Sequence, residues 1–168
     1  MISQREILWY AFVTRPRHEK KAATYLEAAG IDHYLPLRKT LNQWRDRRRW
    51  VEAPLFPGYI FCRIPYCERF QVLQTPGLVR VVGFNNLPMP VPDREIEVVQ
   101  KILGAGLDLQ VRSGLAVGDH VRIDGGILYG YEGQIIEERG SSYFVIYIAT
   151  ISKSILVDAR AVELKKIA

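Results

Sequence analysis

Apolar and polar residues alternate along this chain at two periods, and the changes of period outline its elements. Leu8-Trp9-Tyr10-Ala11-Phe12-Val13-Thr14 is an aromatic-rich run bounded by Arg15-Pro16-Arg17, the composition of a first strand. Over residues 17–29 the period lengthens. Ala22, Tyr25, Leu26 and Ala29 recur at helical steps, and Gly30 follows where a left-handed cap belongs. Residues 31–37 read as a second strand that Pro36 places at a sheet edge, residues 42–52 as a polar hairpin or loop, and residues 59–63 as a further strand. A short helix from near Cys67 holds Phe70, Val72 and Leu73, is ended by Thr75-Pro76-Gly77, and is followed by a strand over 78–84. After a Pro-spaced linker at 87–92, Asp93 caps a helix with Ile96, Val99, Ile102 and Leu103 on one side and Gly104 at its end.

This order predicts an α+β layer, an antiparallel sheet with flanking helices, over residues 1–104. Residues 105–114 read as a linker. From Leu115 the pattern turns all-β: Val121, Ile123, the Ile127-Leu128 turn, Gln134-Ile135-Ile136 and the stretches 143–148 and 154–157 are short strands between Gly, Ser or Asp turns. A compact barrel over 115–168 is the economical way for so small a segment to hide its sheet edges.

The densest local information lies in Ala53-Pro54-Leu55-Phe56-Pro57-Gly58-Tyr59-Ile60-Phe61-Cys62. Two prolines and a glycine set the approach of the chain to a strand that shows Tyr59 and Phe61 on one face, Ile60 and Cys62 on the other. Buried aromatics outnumber interface aromatics, so the residues alone favour a core role for Tyr59 and Phe61.

Charge adds an asymmetry. The net charge is +5, and residues 1–64 hold twelve Lys+Arg against six Asp+Glu, whereas residues 111–168 hold seven of each. A basic first part facing a polyanion is one reading of that contrast. Arg15, Arg17, Lys20 and Lys21 surround the start of the first helix, and Arg45, Arg47, Arg48 and Arg49 stand between Trp44 and Trp50. A solvated helix face and a solvated hairpin tip are equally good readings of the two clusters. Cys62 and Cys67 have the composition of reduced thiols rather than of a disulfide framework or a zinc site. No secretory signal pattern opens the sequence and no apolar run is long enough to span a bilayer, so a cytoplasmic protein is expected.

Three motifs in the first part resemble the NusG-like transcription elongation factors, in particular the specialised antiterminators of the RfaH and UpxY type. They are Trp9-Tyr10 opening the first strand, Pro54-Leu55-Phe56-Pro57-Gly58-Tyr59-Ile60-Phe61, and Thr75-Pro76-Gly77-Leu78-Val79 leading into Val81-Val82-Gly83-Phe84. In the second part, Gly118-Asp119-His120-Val121-Arg122-Ile123 followed by Gly126, Gly130 and Gly133 resembles the KOW motif of an SH3-like barrel.

The resemblance implies that Trp9, Phe56, Pro57, Tyr59 and Phe61 form an apolar patch that packs on the β′ clamp helices of RNA polymerase. It tips the reading of Tyr59 and Phe61 from core to interface. It also implies that Arg15, with Arg17, Lys20 and Lys21, meets the non-template DNA strand or nascent RNA, with Arg47, Arg48 and Arg49 as a further contact to nucleic acid or to a polymerase lobe. Contact with the β gate loop stays open, because Glu68-Arg69-Phe70-Gln71 lacks the threonines of the family's motif there. For the KOW half a small-subunit ribosomal protein, the termination factor Rho, or neither are all open. In that half Gly118 is read as a turn into its first strand, and Gly130 and Gly133 as a sharp turn between strands.

The family implies a monomer that is no enzyme, needs no cofactor and contacts no membrane. The residues agree, since His18, His33 and His120 lie in separate segments, and neither Gly125-Gly126 nor Gly104-Ala105-Gly106 is followed by a phosphate-loop Lys-Ser/Thr. The alternative is a KOW-type RNA- or ribosome-binding module without a polymerase partner, against which the neutral second half counts.

Overall fold

The computed structural model describes residues 3–114 and 118–167, so the start of the second domain expected at Leu115 lies outside the described residues. The chain divides into two compact units between Asp93 and Arg94.

The first unit is built around β1 (Ile7–Thr14), followed by α1 (Glu19–Ala28), β2 (His33–Tyr34), β3 (Leu37–Trp44), β4 (Arg47–Pro54) and β5 (Tyr59–Pro65). A 3-10 turn at Tyr66–Glu68 leads into α2 (Arg69–Val72), and then come β6 (Leu78–Val81), β7 (Gly83–Phe84), β8 (Leu87–Pro88) and β9 (Pro90–Val91). In the main antiparallel sheet β5 lies between β2 and β1, while β6 and β9 share the opposite edge of β1. Register pairs Tyr10 with Cys62 and Phe12 with Ile60. That face, with Ile64, buries against Ala22 and Leu26 of α1 and Val72 of α2. The helix ends as its residues demand: Gly30, at φ +69°, donates to the Glu27 carbonyl and Ile31 to that of Leu26, each at 3.0 Å, satisfying the last-turn carbonyls.

The strand expected over 31–37 is interrupted. Pro36 has no N–H for a ladder, and its carbonyl instead accepts from Leu55 at 2.8 Å as the chain turns into a separate β3–β4 ribbon. The strand expected over 78–84 also divides. Val82 donates to Ala11 at 2.8 Å, and β7 and β8 then form their own hairpin around Asn85 and Asn86, at φ 50° and 62°. The segment 87–92, read as a linker, supplies β8 and β9, and β9 pairs with β1 at Trp9 and Tyr10.

In the second unit, α3 (Asp93–Gly104) precedes β10 (Leu109–Ser113), β11 (Asp119–Ile123), β12 (Glu132–Glu138), β13 (Ser141–Ile148), β14 (Lys153–Asp158) and β15 (Leu164–Lys166). The six strands form one antiparallel sheet in the order β10-β14-β13-β12-β11-β15. Residues 109–113 are thus a strand and not linker: Leu109 and Val111 alternate with Gln110 and Arg112, and Val111 pairs with Ile155 of β14. Helix α3 groups with this sheet rather than with the first unit. The Arg94 guanidinium lies 4.7 Å and the Lys101 ammonium 5.2 Å from the centre of the Tyr131 ring, and Arg94 Nη2 donates to the Gly130 carbonyl at 2.7 Å.

The glycines of this half serve two purposes. Gly126 and Gly130, at φ +76° and +81°, take backbone that disfavours a side chain. Gly118 and Gly133 are needed for space: a Cβ would stand 2.0 Å from the Ile135 carbonyl oxygen at the first and 2.4 Å from that of Val145 at the second. Gly133 accordingly sits inside β12, opposite Val121, and not in the turn expected for it; Gly118 is needed for close approach rather than for a turn angle. Asp119 begins β11, and Val121 is buried. No helix among the described residues is long and apolar enough to cross a membrane.

Candidate nucleic-acid interface

The second face of the main sheet carries Trp9, Tyr59 and Phe61 of the expected apolar patch, and Phe56 and Pro57 lie in the turn that precedes β5. Trp9, Ala11 and Val13 of β1 stand opposite Arg63, Phe61 and Tyr59 of β5. Trp9, Val13 and Tyr59 are half-buried and Pro57 is exposed. Phe56 and Phe61 are each only 1% exposed and meet edge to face, ring centres 6.2 Å apart at 80°. They support the surface from beneath. As direct contact residues they are withdrawn by this burial, which leaves Trp9, Pro57 and Tyr59 within reach of a partner.

Tyr59 is held by its approach. Its N–H donates to the Phe56 carbonyl at 3.1 Å, and Gly58 before it adopts φ +86°. Both backbone groups of Gly58 are engaged: its N–H donates to Glu19 Oε1 and its carbonyl accepts from Thr14, each at 2.8 Å. Glu19, the first residue of α1 and only 6% exposed, therefore ties the helix to the turn that launches β5.

The basic residues around α1 are all at the surface. Arg15, Arg17, Lys20 and Lys21 are exposed, with the Arg15 N–H anchored on the Gly77 carbonyl at 2.8 Å. Arg17 occupies a left-handed conformation, φ 63°, that a non-glycine residue rarely takes. Lys20 reaches away from its helix and donates through Nζ to the Glu52 carbonyl at 2.6 Å. That bond joins the start of α1 to the β3–β4 ribbon, a connection that nothing in the sequence signals.

Register sorts the ribbon into two faces. Trp44 pairs with Arg47 and Asn42 with Arg49, so Trp44, Arg47, Arg49 and Val51 share one face. Leu41 pairs with Trp50 and Gln43 with Arg48, so Arg48 and Trp50 project from the other. A cleft of about 370 Å³ is bounded by Lys20, Trp44, Arg47, Arg49, Trp50, Val51 and Glu52. A second, of about 570 Å³, runs past Arg17, Lys20, Glu52, Pro57 and Gly58. Lys20 borders both, so two clusters far apart in sequence become one basic surface with tryptophan in it. Arg15 and Lys21 border neither cleft.

Pairing of charge separates the two units. The ion pairs found among the described residues are Arg112 with Glu138, Arg122 with Glu132 and Arg160 with Asp158, all in the second unit. Hydrogen bonds from Arg122 and Arg112 hold the Glu132 and Glu138 carboxyls below their usual range, and those from Arg160 bring Asp158 down to about 2. Among the described residues the arginines at the start of α1 and along the ribbon make no such pair, which leaves their charge available to an external anion.

Residues 8–100 match the family described as Transcription termination factor nusG. The chain is 28% identical to the transcription termination/antitermination protein NusG of Thermus thermophilus, over 84% of this chain and 90% of that protein. Its fold is similar to a solved structure described as domain interaction in Thermotoga maritima NusG, with a TM-score of 0.59 at 24% identity over 99% of this chain and 100% of that one. Because the family match takes in more than half of the chain and all three motifs of the first unit, this protein belongs to the NusG family of transcription termination and antitermination factors.

Proposed function

We propose that the protein is an elongation and antitermination factor of the specialised, operon-specific kind, which docks on RNA polymerase at the β′ clamp helices and contacts DNA at the upstream edge of the transcription bubble. Family membership supports the transcriptional role. The observation that carries the finer reading is the single basic surface formed by Arg17, Lys20, Arg47 and Arg49, whose arginines make no ion pair among the described residues, in the unit that holds most of the family match. A binding mechanism follows. Trp9 and Tyr59 offer apolar area to the coiled coil, the cations hold bubble DNA, and bridging the two favours the closed polymerase over the paused one. A differential affinity of only ~1–3 kcal/mol changes pausing several-fold or more.

The alternative, an RNA-binding KOW module without polymerase, is disfavoured by the second unit itself, whose Arg112, Arg122 and Arg160 are already spent on carboxylates. The test is a single-round pausing assay with bacterial RNA polymerase on generic and native leader templates, comparing the protein with Tyr59→Asp. Faster escape from pauses, lost in the variant, is expected. Equal activity of the two, or no polymerase binding on either template, would sink the proposal.

A further inference from the structure

We infer that the cleft beside Trp44 is a stacking site for an unpaired DNA nucleotide, with Arg47, Arg49 and Lys20 holding the adjoining phosphates. This deepens the proposed function and rests on its premise that the first unit meets opened DNA. The ribbon offers a single strand both things it needs. Trp44 is 64% exposed although its indole is among the most hydrophobic surfaces a side chain can present. The cation directly across the ladder from it is Arg47, and Arg49 follows on the same face, so a base lying on the indole has its backbone beside two guanidinium groups.

Lys20, drawn over by its bond to the Glu52 carbonyl, adds a third cation from another element. The cleft volume of about 370 Å³ lies in the range of small-ligand sites. Three cations, Lys20, Arg47 and Arg49, outweigh the one carboxylate of the lining, Glu52, so the net charge favours an anionic occupant, and the exposed indole selects one with a flat aromatic face. A duplex satisfies the first requirement only, because its bases are stacked on one another. Of the two single strands, DNA is the one that the proposed function brings to this surface. Stacking and phosphate contacts are tolerant of sequence, so the site holds a strand without choosing among operons.

The experiment measures anisotropy of a labelled oligodeoxynucleotide with the full-length protein and no polymerase, using the single strand, its duplex and RNA of the same sequence. The single strand is expected to bind tighter than the duplex, and Trp44→Ala to weaken it roughly tenfold or more. Trp44→Phe should keep most of the affinity. Phe70→Ala, which removes an equally exposed aromatic elsewhere in the unit, should change nothing. Arg49→Gln should lower the slope of log affinity against log salt by about 0.7.

Thermal melts of each variant show whether a loss comes from the site or from unfolding, and the conservative Trp44→Phe keeps the comparison meaningful if Trp44→Ala melts early. Wild-type affinity in Trp44→Ala overturns the inference, as does equal binding of duplex or tighter binding of RNA. Since polymerase is absent, intact oligonucleotide binding with no effect on pausing would count against the polymerase reading alone.

Discussion

The Glu19 carboxylate accepts the main-chain N–H of Gly58 at 2.8 Å, binding the first turn of α1 to the turn that sets Tyr59 in place. Removing a buried charged acceptor leaves its donor unsatisfied, so Glu19→Ala should cost ~1–3 kcal/mol of stability. Glu19→Gln keeps an acceptor oxygen and should cost less. Urea titrations of the two variants give the ordering. An Ala variant as stable as wild type would show that this bond does not hold the turn.

Arg17 is exposed at φ 63°, where little packing offsets the strain. Arg17→Gly should therefore leave stability unchanged or raise it by up to about 1 kcal/mol. Affinity for single-stranded DNA should fall at low salt through the lost charge. A variant that gains stability and keeps its affinity would place Arg17 outside the interface.

A methyl group at Gly133 would meet the Val145 carbonyl oxygen at 2.4 Å and the Phe144 ring at 2.8 Å. Gly133→Ala should destabilise the second unit by about 1–3 kcal/mol, since a backbone carbonyl in a paired strand cannot step aside as a flexible side chain does. Far-UV circular dichroism across a urea titration would show it. Gly140, at φ +78° with open space around it, makes a useful contrast, because strain alone is at stake there.

Burial, with a smaller contribution from Asp32, pushes the Cys62 thiol up to about 12, whereas Cys67 is exposed. One thiol should react promptly with a disulfide reagent in the native protein and the second only on unfolding. The linkage has a definite sign. Cys62 keeps its proton in the folded state while the unfolded chain loses it above pH ~8.5, so this contribution to stability is full below that value and declines as pH rises toward 12. The decline amounts to at most about 1.4 kcal/mol per pH unit and should vanish in Cys62→Ala. An identical alkaline profile in that variant would contradict it.

The features legible in the residues are local or periodic. The α1 helix ends at Gly30 because the cap that closes it is a property of a few consecutive residues. The faces of β5 follow from alternation alone, so Tyr59 and Phe61 were legible as one side and Ile60 and Cys62 as the other. The family motifs belong to this class too, being short runs at readable spacing. Depth was not legible. Tyr59 and Phe61 share a face and differ in burial, because exposure depends on what the rest of the chain lays over each position. The strand at 109–113 does not stand out from linker in the sequence, because its partner β14 lies forty or more residues on, and pairing at that distance leaves no local mark. The basic surface is the clearest case. Arg47 and Arg49 were visible as a run and Lys20 as part of a helix, yet only the folded chain bends the ribbon to the start of α1 and makes one site of them. Local backbone preference and side-chain periodicity act over a few residues and are written in order along the chain; proximity between distant segments arises from packing and exists only once the chain has folded.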